Sequence, residues 1–329
     1  MAAEMTPPAA APAFLARAGW DSARIEPLAG DASFRRYFRA IEPNRRAVLM
    51  DAPPPHEDPR PFISIARHLC GLGFAAPAIL AEDLDHGLVL LEDFGDARMR
   101  EAIDAGDVDE TATYAATVAL LAELHRHPPA DVPPYSRNEM HREVGLLTEW
   151  YCSAVGLMVD AEAYHAAWDT AFDRIDDAAP VTVLRDYHAE NIMLRKGLSG
   201  NARLGLLDFQ DALVGHPAYD LVSMLQDARR DVPLDIETKM LVEYQRLAAP
   251  GPAFLDSYAI LGAQRNAKIV GIFTRLWQRD GKPRYLDFLP RVWGYLERDL
   301  AHPALADVLI WFDKNIPSNK RGSYVKEAA

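Results

Sequence analysis

Two short apolar runs, each leading to acidic or amide side chains, constrain this chain more than any other sequence feature. The first, residues 184–194, reads L-R-D-Y-H-A-E-N-I-M-L, and the second, residues 204–211, reads L-G-L-L-D-F-Q-D. Residues 181–184 have the apolar character of a buried strand, and a turn then carries Asp186 and Asn191. In the second run, the apolar residues lead directly to Asp208.

Two adjacent strand ends would bring Asp186, Asn191 and Asp208 into one small volume. Such a set of oxygen ligands suits Mg2+, which prefers carboxylates together with substrate phosphates. The alternative is that D-x-x-x-x-N arose by chance, since Asp and Asn are ordinary turn residues. Chance is a poor explanation when a second apolar run delivers a further Asp. The pattern therefore predicts phosphoryl transfer.

The same residues resemble the catalytic and metal loops of the aminoglycoside phosphotransferase and choline kinase family. The family's catalytic loop reads H-G-D-x-H-x-x-N, and this chain keeps Asp186, His188 and Asn191 but has Leu184 for the first His and Arg185 for the Gly. The D-F-Q-D segment and a later G-H-P-A-Y-D-L run follow in the family's order. The three blocks together make the resemblance specific.

The resemblance implies an α+β, protein-kinase-like fold with two lobes. We expect a small antiparallel-sheet N-lobe at residues 1–94, with a nucleotide phosphate loop. A larger helical C-lobe with the catalytic and metal loops is expected at residues 95–314. Residues 315–329 are expected to form a frayed polar tail.

The resemblance also implies the cofactors ATP and Mg2+ and a role for each loop residue. Asp186 is the catalytic base, and Asn191 and Asp208 are the metal ligands. Asp220, at the head of a helix, holds the catalytic loop by hydrogen bonds instead of taking part in the chemistry. His188 and Asp211 are expected on the acceptor side.

The nucleotide side lacks the usual cation of a kinase fold. The strand over residues 46–51 has Met50 where the fold would place a phosphate-binding lysine, and the next helix, residues 61–72, has no glutamate to pair with it. Arg36 is a possible replacement, because the period of two in the strand over residues 34–41 puts it on an otherwise apolar face. A twisted strand that turns Arg36 to solvent is the alternative.

Backbone groups are expected to complete the nucleotide site. A small-residue turn between two predicted strands offers main-chain N–H groups to a phosphate; it consists of Gly30, Asp31, Ala32 and Ser33. The resemblance also implies a hinge that binds the adenine ring. This hinge follows the last strand of the N-lobe and includes Glu92 and Phe94.

Composition excludes several functional classes. The net charge is -13, and because phosphate backbones are bound by basic surfaces, a nucleic-acid partner is not expected. No apolar run reaches the roughly 18–20 residues that a membrane span requires. The chain has two cysteines, Cys70 and Cys152, and its first residues do not read as a signal peptide. A cytoplasmic protein is expected, and the sequence does not specify an oligomeric state.

The acceptor is suggested by resemblance over most of both lobes. Four runs of the chain, starting at residues 30, 48, 184 and 206, resemble those of bacterial anomeric kinases of cell-wall sugar recycling, which phosphorylate the 1-hydroxyl of N-acetylmuramate and N-acetylglucosamine. The lactyl carboxylate of muramate would need a cation, and Arg265, Lys268 and Arg275 lie roughly along one stripe of a predicted helix. A solvated face is the alternative for these three residues.

Other functions stay open on the sequence alone. The acidic composition would equally suit a cationic aminoglycoside or choline as acceptor. A nucleotide-binding pseudokinase is conceivable because the lysine and its glutamate are missing. A protein kinase is disfavoured, since the chain passes from Asp211 almost directly into G-H-P-A-Y-D-L and leaves no room for an activation loop.

Overall fold

The computed structural model describes residues 6–28 and 34–322, which form an α+β fold. The chain divides into two compact units. The first comprises Met1–Val108 and Glu190–Ala212, and the second comprises Asp109–Ala189 and Leu213–Ala329. The lobe limits expected at residues 94 and 314 stay a prediction. The two units are defined by contacts between residues, whereas the predicted lobes are defined by the binding roles of their segments.

Strands and helices are numbered in chain order. The strands are β1 (Arg24–Pro27), β2 (Arg36–Glu42), β3 (Arg45–Asp51), β4 (Ile79–Asp83), β5 (Leu88–Glu92), β6 (Val181–Val183), β7 (Ile192–Leu194), β8 (Leu204–Leu206) and β9 (Leu213–Gly215). The α-helices are α1 (Ala11–Arg17), α2 (Arg60–Gly71), α3 (Met99–Asp104), α4 (Glu110–Leu124), α5 (Arg137–Leu146), α6 (Ala161–Phe172), α7 (Ala218–Leu225), α8 (Leu234–Ala248), α9 (Phe254–Gln278), α10 (Leu289–Leu300) and α11 (Ala306–Asn315).

A five-stranded antiparallel sheet forms the body of the first unit, in the order β1-β2-β3-β5-β4. Because side chains alternate between the faces of a strand, Phe38 of β2 and its partner Leu49 of β3 point to the same face. Both are buried in a core that also contains Phe14 and Leu15 of α1 and Trp20. The predicted hairpin between β1 and β2 is confirmed by their antiparallel pairing, but its turn lies outside the described residues.

The first unit also contains the β7–β8 hairpin. Main-chain hydrogen bonds fasten it on two sides: Leu206 N–H donates to the Ala75 carbonyl, and Leu194 N–H donates to the Ala97 carbonyl, both at 2.7 Å. The hairpin is therefore held by backbone groups, and Asn191 and Asp208 lie just outside its two strands.

Helix α9 is the centre of the second unit. It packs against α5, α7 and α10, and most of its residues are buried. The short strand β6 pairs antiparallel with β9 and ends directly before the catalytic loop. Helices α5 and α7 contact the segment just before Asp186, through Glu143 and Asp220 respectively.

Two helices of the second unit have well-defined ends. Asp109 caps α4, since its Oδ1 accepts from Ala112 N–H at 2.6 Å. Helix α5 begins at Arg137 and continues into a π-helical turn, Leu147–Cys152.

The expectation of a frayed tail from residue 315 is wrong as far as Gly322. Ile316 is fully buried, Arg321 pairs with Asp313 at 3.0 Å, and Gly322 N–H donates to Tyr151 Oη at 3.0 Å. Polar composition suggested fraying, but apolar and main-chain contacts keep the segment packed.

None of the helices in the described part of the chain combines the length and the apolar character that a membrane span requires.

Candidate active site

The catalytic loop turns tightly around Asp186. Asp186 N–H donates to the Leu184 carbonyl at 2.8 Å, and His188 N–H donates to the Asp186 carbonyl at 3.0 Å. Leu184 and His188 are buried, whereas Asp186 is half-buried. The Asp186 carboxylate thus lies at the edge of the protein interior. A catalytic base needs such a position, because it must contact the substrate.

Backbone strain is concentrated in the predicted site loops. Across residues 6–28 and 34–322, the non-glycine residues with left-handed backbone are Arg185 (φ 69°), Asp208 (φ 58°) and Ala249 (φ 46°). This conformation costs a side-chain-bearing residue on the order of 1 kcal/mol. Two of the three lie in the catalytic and metal loops, where strain is commonly retained for function.

Asp220 fastens the start of the catalytic loop. Its carboxylate accepts from Leu184 N–H at 2.6 Å and from Arg185 N–H at 2.8 Å. Burial raises the pKa of Asp220 to about 7, although these two hydrogen bonds act in the opposite direction. The hydrogen bonds expected of Asp220 are therefore present.

A buried cluster of charges lies beside the same loop and was not predicted. Glu143 of α5 binds the Arg185 guanidinium and accepts from Lys268 Nζ at 2.7 Å. Its other oxygen accepts from Tyr135 Oη at 2.5 Å and Gln264 Nε2 at 3.0 Å. Burial alone would raise the pKa of Glu143, but Lys268 and Arg185 outweigh it and lower the pKa to about 2.

The metal loop of the first unit brings Asn191 and Asp208 together. Asn191 Nδ2 lies 3.4 Å from Asp208 Oδ2, and Leu207 N–H donates to the Asn191 carbonyl at 3.0 Å. Gln210 Nε2 donates to Asp208 Oδ1 at 2.9 Å and to Asp211 Oδ2 at 3.2 Å. Gln210 therefore links the predicted metal ligand to the exposed Asp211.

This pair fits Mg2+. Asn191 and Asp208 are both half-buried, and rotation of the Asn191 amide would turn its oxygen toward the side where its nitrogen now faces Asp208. Mg2+ is commonly held by one or two protein oxygens, with water and phosphate oxygens in the remaining positions. The donors available are hence of the right kind and number.

The nucleotide phosphate region is only partly described. Gly30, Asp31, Ala32 and Ser33 lie outside the described residues. Arg36 binds Asp51, with Nε 2.8 Å and Nη2 2.5 Å from the same oxygen; the Arg36 side chain is 39% exposed and that of Asp51 is 2% exposed. Arg36 is thus neither a purely solvated side chain nor a cation without a counter-charge. Met50 is fully buried.

The predicted hinge is built on side-chain contacts within the first unit. Glu92 Oε1 accepts from Arg195 Nη2 at 2.5 Å, and the Arg195 guanidinium lies 4.4 Å from the centre of the Phe94 ring. A Cβ at Gly205 would come within 2.5 Å of that ring, so glycine permits Phe94 to pack against β8. Contacts of the Glu92 and Phe94 side chains therefore hold the predicted hinge segment in place.

The three candidate cations of α9 differ in their surroundings. Arg265 is buried and donates to Ser223 Oγ at 2.8 Å, while Lys268 pairs with Glu143. A solvated face is wrong for both, because this side of α9 packs against its neighbours. Arg275 is half-buried, and burial followed by the nearby Arg279 lowers its pKa.

His188 has a partner that sequence reasoning missed. Its Nε2 lies 3.2 Å from Arg229 Nη1. Since arginine can only donate, the histidine nitrogen accepts. Arg229 lies in the segment after α7, where no motif marks it. Arg185 did carry a signal, because it replaces the glycine of the resembling motif.

Comparison with known proteins gives a consistent result. The pattern that defines the Phosphotransferase enzyme family matches residues 24–258. An N-acetylmuramate/N-acetylglucosamine kinase from Caulobacter vibrioides is 37% identical, and the alignment covers 95% of this chain and 98% of that protein. A protein of the same name from Pseudomonas aeruginosa is 38% identical, over 88% of this chain and 89% of that protein.

A solved structure supports the fold separately. A choline/ethanolamine kinase family protein from Mesorhizobium loti matches with a TM-score of 0.60 at 16% identity, over 91% of this chain and 98% of that one. At this identity the likeness concerns the fold alone. It confirms the predicted α+β fold of the protein-kinase type.

Proposed function

This chain belongs to the phosphotransferase enzyme family, and we propose that it is a kinase that transfers the γ-phosphoryl group of ATP to the anomeric 1-hydroxyl of N-acetylmuramate and N-acetylglucosamine. The observation that carries this proposal is the similarity to the Caulobacter kinase over 95% of the chain. An alignment that covers nearly the whole of both chains supports a shared activity as well as a shared scaffold.

In the proposed mechanism, Asp186 orients the acceptor hydroxyl and accepts its proton. The sugar oxygen forms a bond to the γ-phosphorus as the bond to the bridging oxygen of ADP breaks. Since this transition state is loose, the position of the carboxylate matters more than its strength as a base. The hydrogen bonds from Leu184 and Arg185 to Asp220 support this reading, because they fix the backbone before Asp186.

Asn191 and Asp208 are the proposed ligands of Mg2+. When bound, the ion neutralises charge on the β- and γ-phosphates. Gln210 supports the site, because its hydrogen bond to one carboxylate oxygen of Asp208 limits rotation of that side chain.

The rest of the nucleotide would be bound by the first unit. We assign the phosphates to Arg36, whose five N–H donors suffice for both Asp51 and a phosphate oxygen, and to residues 30–33, where the sequence predicts a turn. We assign the adenine ring to the main chain of the hinge between Glu92 and Phe94.

On the acceptor side, the exposed Asp211 is proposed to contact sugar hydroxyls. The buried His188, which was also expected there, is engaged by Arg229 and is proposed to support the catalytic loop instead. Among the three cations of α9, Arg275 remains the candidate for the lactyl carboxylate of muramate, because Arg265 and Lys268 are engaged by Ser223 and Glu143. The proposed setting is cell-wall sugar recycling in the cytoplasm.

Phosphorus NMR of the product tests the proposal. The protein is incubated with ATP, Mg2+ and each of the two sugars, with choline, an aminoglycoside and casein as comparison acceptors. We expect an acid-labile 1-phosphate from both sugars and no transfer to casein. A 6-phosphate, or turnover with choline or the aminoglycoside alone, would overturn the anomeric assignment and leave the family membership intact.

A further inference from the structure

Arg185 occupies a position that favours glycine. Its φ of 69° lies in the left-handed region, where glycine has no steric penalty and arginine does. A side chain retained at such a place must compensate by a contact that glycine could not make. The contact in this structure is with Glu143.

Glu143 is a well-fixed partner for Arg185. Lys268 of α9 binds the same carboxylate oxygen at 2.7 Å, and the other oxygen is occupied by donors from Tyr135 and Gln264. Lys268 also donates to Tyr219 Oη of α7 at 3.2 Å. The arginine is thus fastened to a group that three helices hold in place.

The two cations of this cluster lie close to Asp186. Arg185 and Lys268 carry two positive charges, and Glu143 supplies one negative charge. Burial alone would lower the pKa of Lys268, but Tyr219, Glu143 and Asp186 raise it. For Arg185, burial is likewise outweighed by its neighbours, namely Tyr219, Glu143, Tyr135 and Asp186. Asp186, the next residue in the chain, is thus near enough to interact with both cations.

We propose that Arg185, fixed by Glu143 and assisted by Lys268, is a positioning residue that sets the direction of the Asp186 carboxylate toward the acceptor hydroxyl. The inference rests on the proposed kinase function. The main chain of Arg185 is held independently, by Asp220 at its N–H and by Ser223 Oγ at its carbonyl. The guanidinium therefore orients the next side chain, that of Asp186, and does not set the path of the main chain.

Arg185→Gly tests this directly. Glycine suits the backbone, and Glu143 keeps Lys268 as a counter-ion, so the variant should fold. Displacing a reacting group by about 1 Å can cost about 100-fold, and we expect kcat to fall by about that factor. KM for ATP and for the sugar should change by less than about threefold, because uniform binding is untouched. A loss confined to KM, or kcat within threefold of the parent in the folded variant, would overturn the proposal.

Two further variants separate positioning from bulk charge. Arg185→Lys keeps a cation at the site and should recover at least about tenfold of the lost kcat, since charge is restored without the guanidinium fork. Arg142→Ala is the matched control: its guanidinium lies 3.9 Å from Glu143 and is largely exposed, so kcat should stay unchanged. An equal loss in both would show that the charge near Glu143 is what matters.

A double variant tests the route through Glu143. Glu143→Gln should lower kcat, and Arg185→Gly/Glu143→Gln should be no worse than the more damaging single variant, because residues acting through one another are not additive. Fully additive losses would show that the two residues act independently and would remove Glu143 from the proposal.

Hydrogen exchange of the catalytic loop provides a readout that does not require the correct acceptor. Because Asp220 and Ser223 hold the main chain of Arg185, the amides of residues 184–188 should exchange at the parent's rate in both Arg185→Lys and Arg142→Ala. If the parent phosphorylates none of the acceptors, the proposed function fails, and the exchange result still decides whether the Arg185 side chain orders the main chain. Clearly faster exchange in Arg185→Lys alone would show that it does, and would overturn its assignment to the direction of the Asp186 carboxylate.

Discussion

The catalytic loop and the β7–β8 hairpin, which has the proposed metal ligands at its ends, are held by different kinds of contact. The catalytic loop in the second unit depends on side chains. Asp220 accepts the N–H groups of Leu184 and Arg185, and Glu143 binds the Arg185 guanidinium. Each of these contacts is lost when a single side chain is truncated.

The β7–β8 hairpin in the first unit depends chiefly on the main chain. Leu206 N–H and Leu194 N–H donate to carbonyls of Ala75 and Ala97. Such bonds persist when side chains are changed, with proline as the exception. Substitutions near the catalytic loop should therefore affect turnover strongly, whereas substitutions near the hairpin should be absorbed unless they remove a metal ligand.

The largest expected effect comes from removing the proposed base, Asp186, from the catalytic loop, or the proposed metal ligand, Asp208, from the end of the hairpin. Asp186→Ala should lower kcat by about 10^2 to 10^4 and leave ATP-Mg affinity nearly intact, because a general base contacts the acceptor. Asp208→Ala should lower kcat at least as much and should also weaken ATP-Mg binding. Calorimetric titration with ATP-Mg distinguishes them, and loss of nucleotide binding in folded Asp186→Ala would show that its role is misassigned.

The next largest effect concerns the side-chain support of the catalytic loop. Asp220→Ala leaves the buried N–H of Leu184 and the partly buried N–H of Arg185 without an acceptor, at about 1–3 kcal/mol each, so the free energy of unfolding should fall by about 2–6 kcal/mol. Denaturant unfolding measures it. Asp235→Ala is the control, since Asp235 is exposed in the first turn of α8 and pairs with Lys239. A loss as small as the control's would mean that the loop does not depend on Asp220.

Sequence spacing predicts the catalytic base and the metal ligands, but it does not reveal the side chains that support them. Asp186, Asn191 and Asp208 stand at strand ends, where short-range patterns are informative. Glu143 and Arg185 are separated by 42 positions, and their contact depends on how α5 packs. A stripe of cations on a helix likewise does not reveal which way it faces, so the burial of Arg265 follows only from the packing of α9.

A smaller effect is expected from the proposed phosphate cation. Arg36→Ala would leave the buried Asp51 without its arginine, so we combine it with Asp51→Asn. The double variant should lower kcat/KM for ATP about tenfold, corresponding to about 1.4 kcal/mol of transition-state stabilisation. Met50→Ala should instead lower the free energy of unfolding by about 2–5 kcal/mol through lost packing, with little change in KM. Unchanged kinetics in the double variant, measured as initial rates against ATP, would leave Arg36 with a structural role alone.

The smallest effect is expected at the predicted hinge. A substitution there tests whether main-chain hydrogen bonds are enough to hold the β7–β8 hairpin. Arg195→Met removes the ion pair with Glu92, in which the side chains are 21% and 35% exposed, and the contact with the Phe94 ring. Partly exposed pairs contribute about 0–1 kcal/mol, and a cation over an aromatic ring about 0.5–1 kcal/mol. The free energy of unfolding should therefore fall by about 0.5–2 kcal/mol, KM for ATP should rise by no more than about threefold, and kcat should stay the same.

Arg67→Met is the matched control for this last prediction. Arg67 also belongs to the first unit and pairs with Glu82, with side-chain exposures of 61% and 35%, but it lies on α2 instead of beside the hinge. It should leave KM for ATP unchanged. A tenfold or larger loss of kcat in Arg195→Met, absent from Arg67→Met, would mean that one side chain holds the β7–β8 hairpin. The catalytic loop and the β7–β8 hairpin would then depend on the same kind of contact. The difference between side-chain and main-chain support would no longer explain why some substitutions should change kcat and others the binding of ATP.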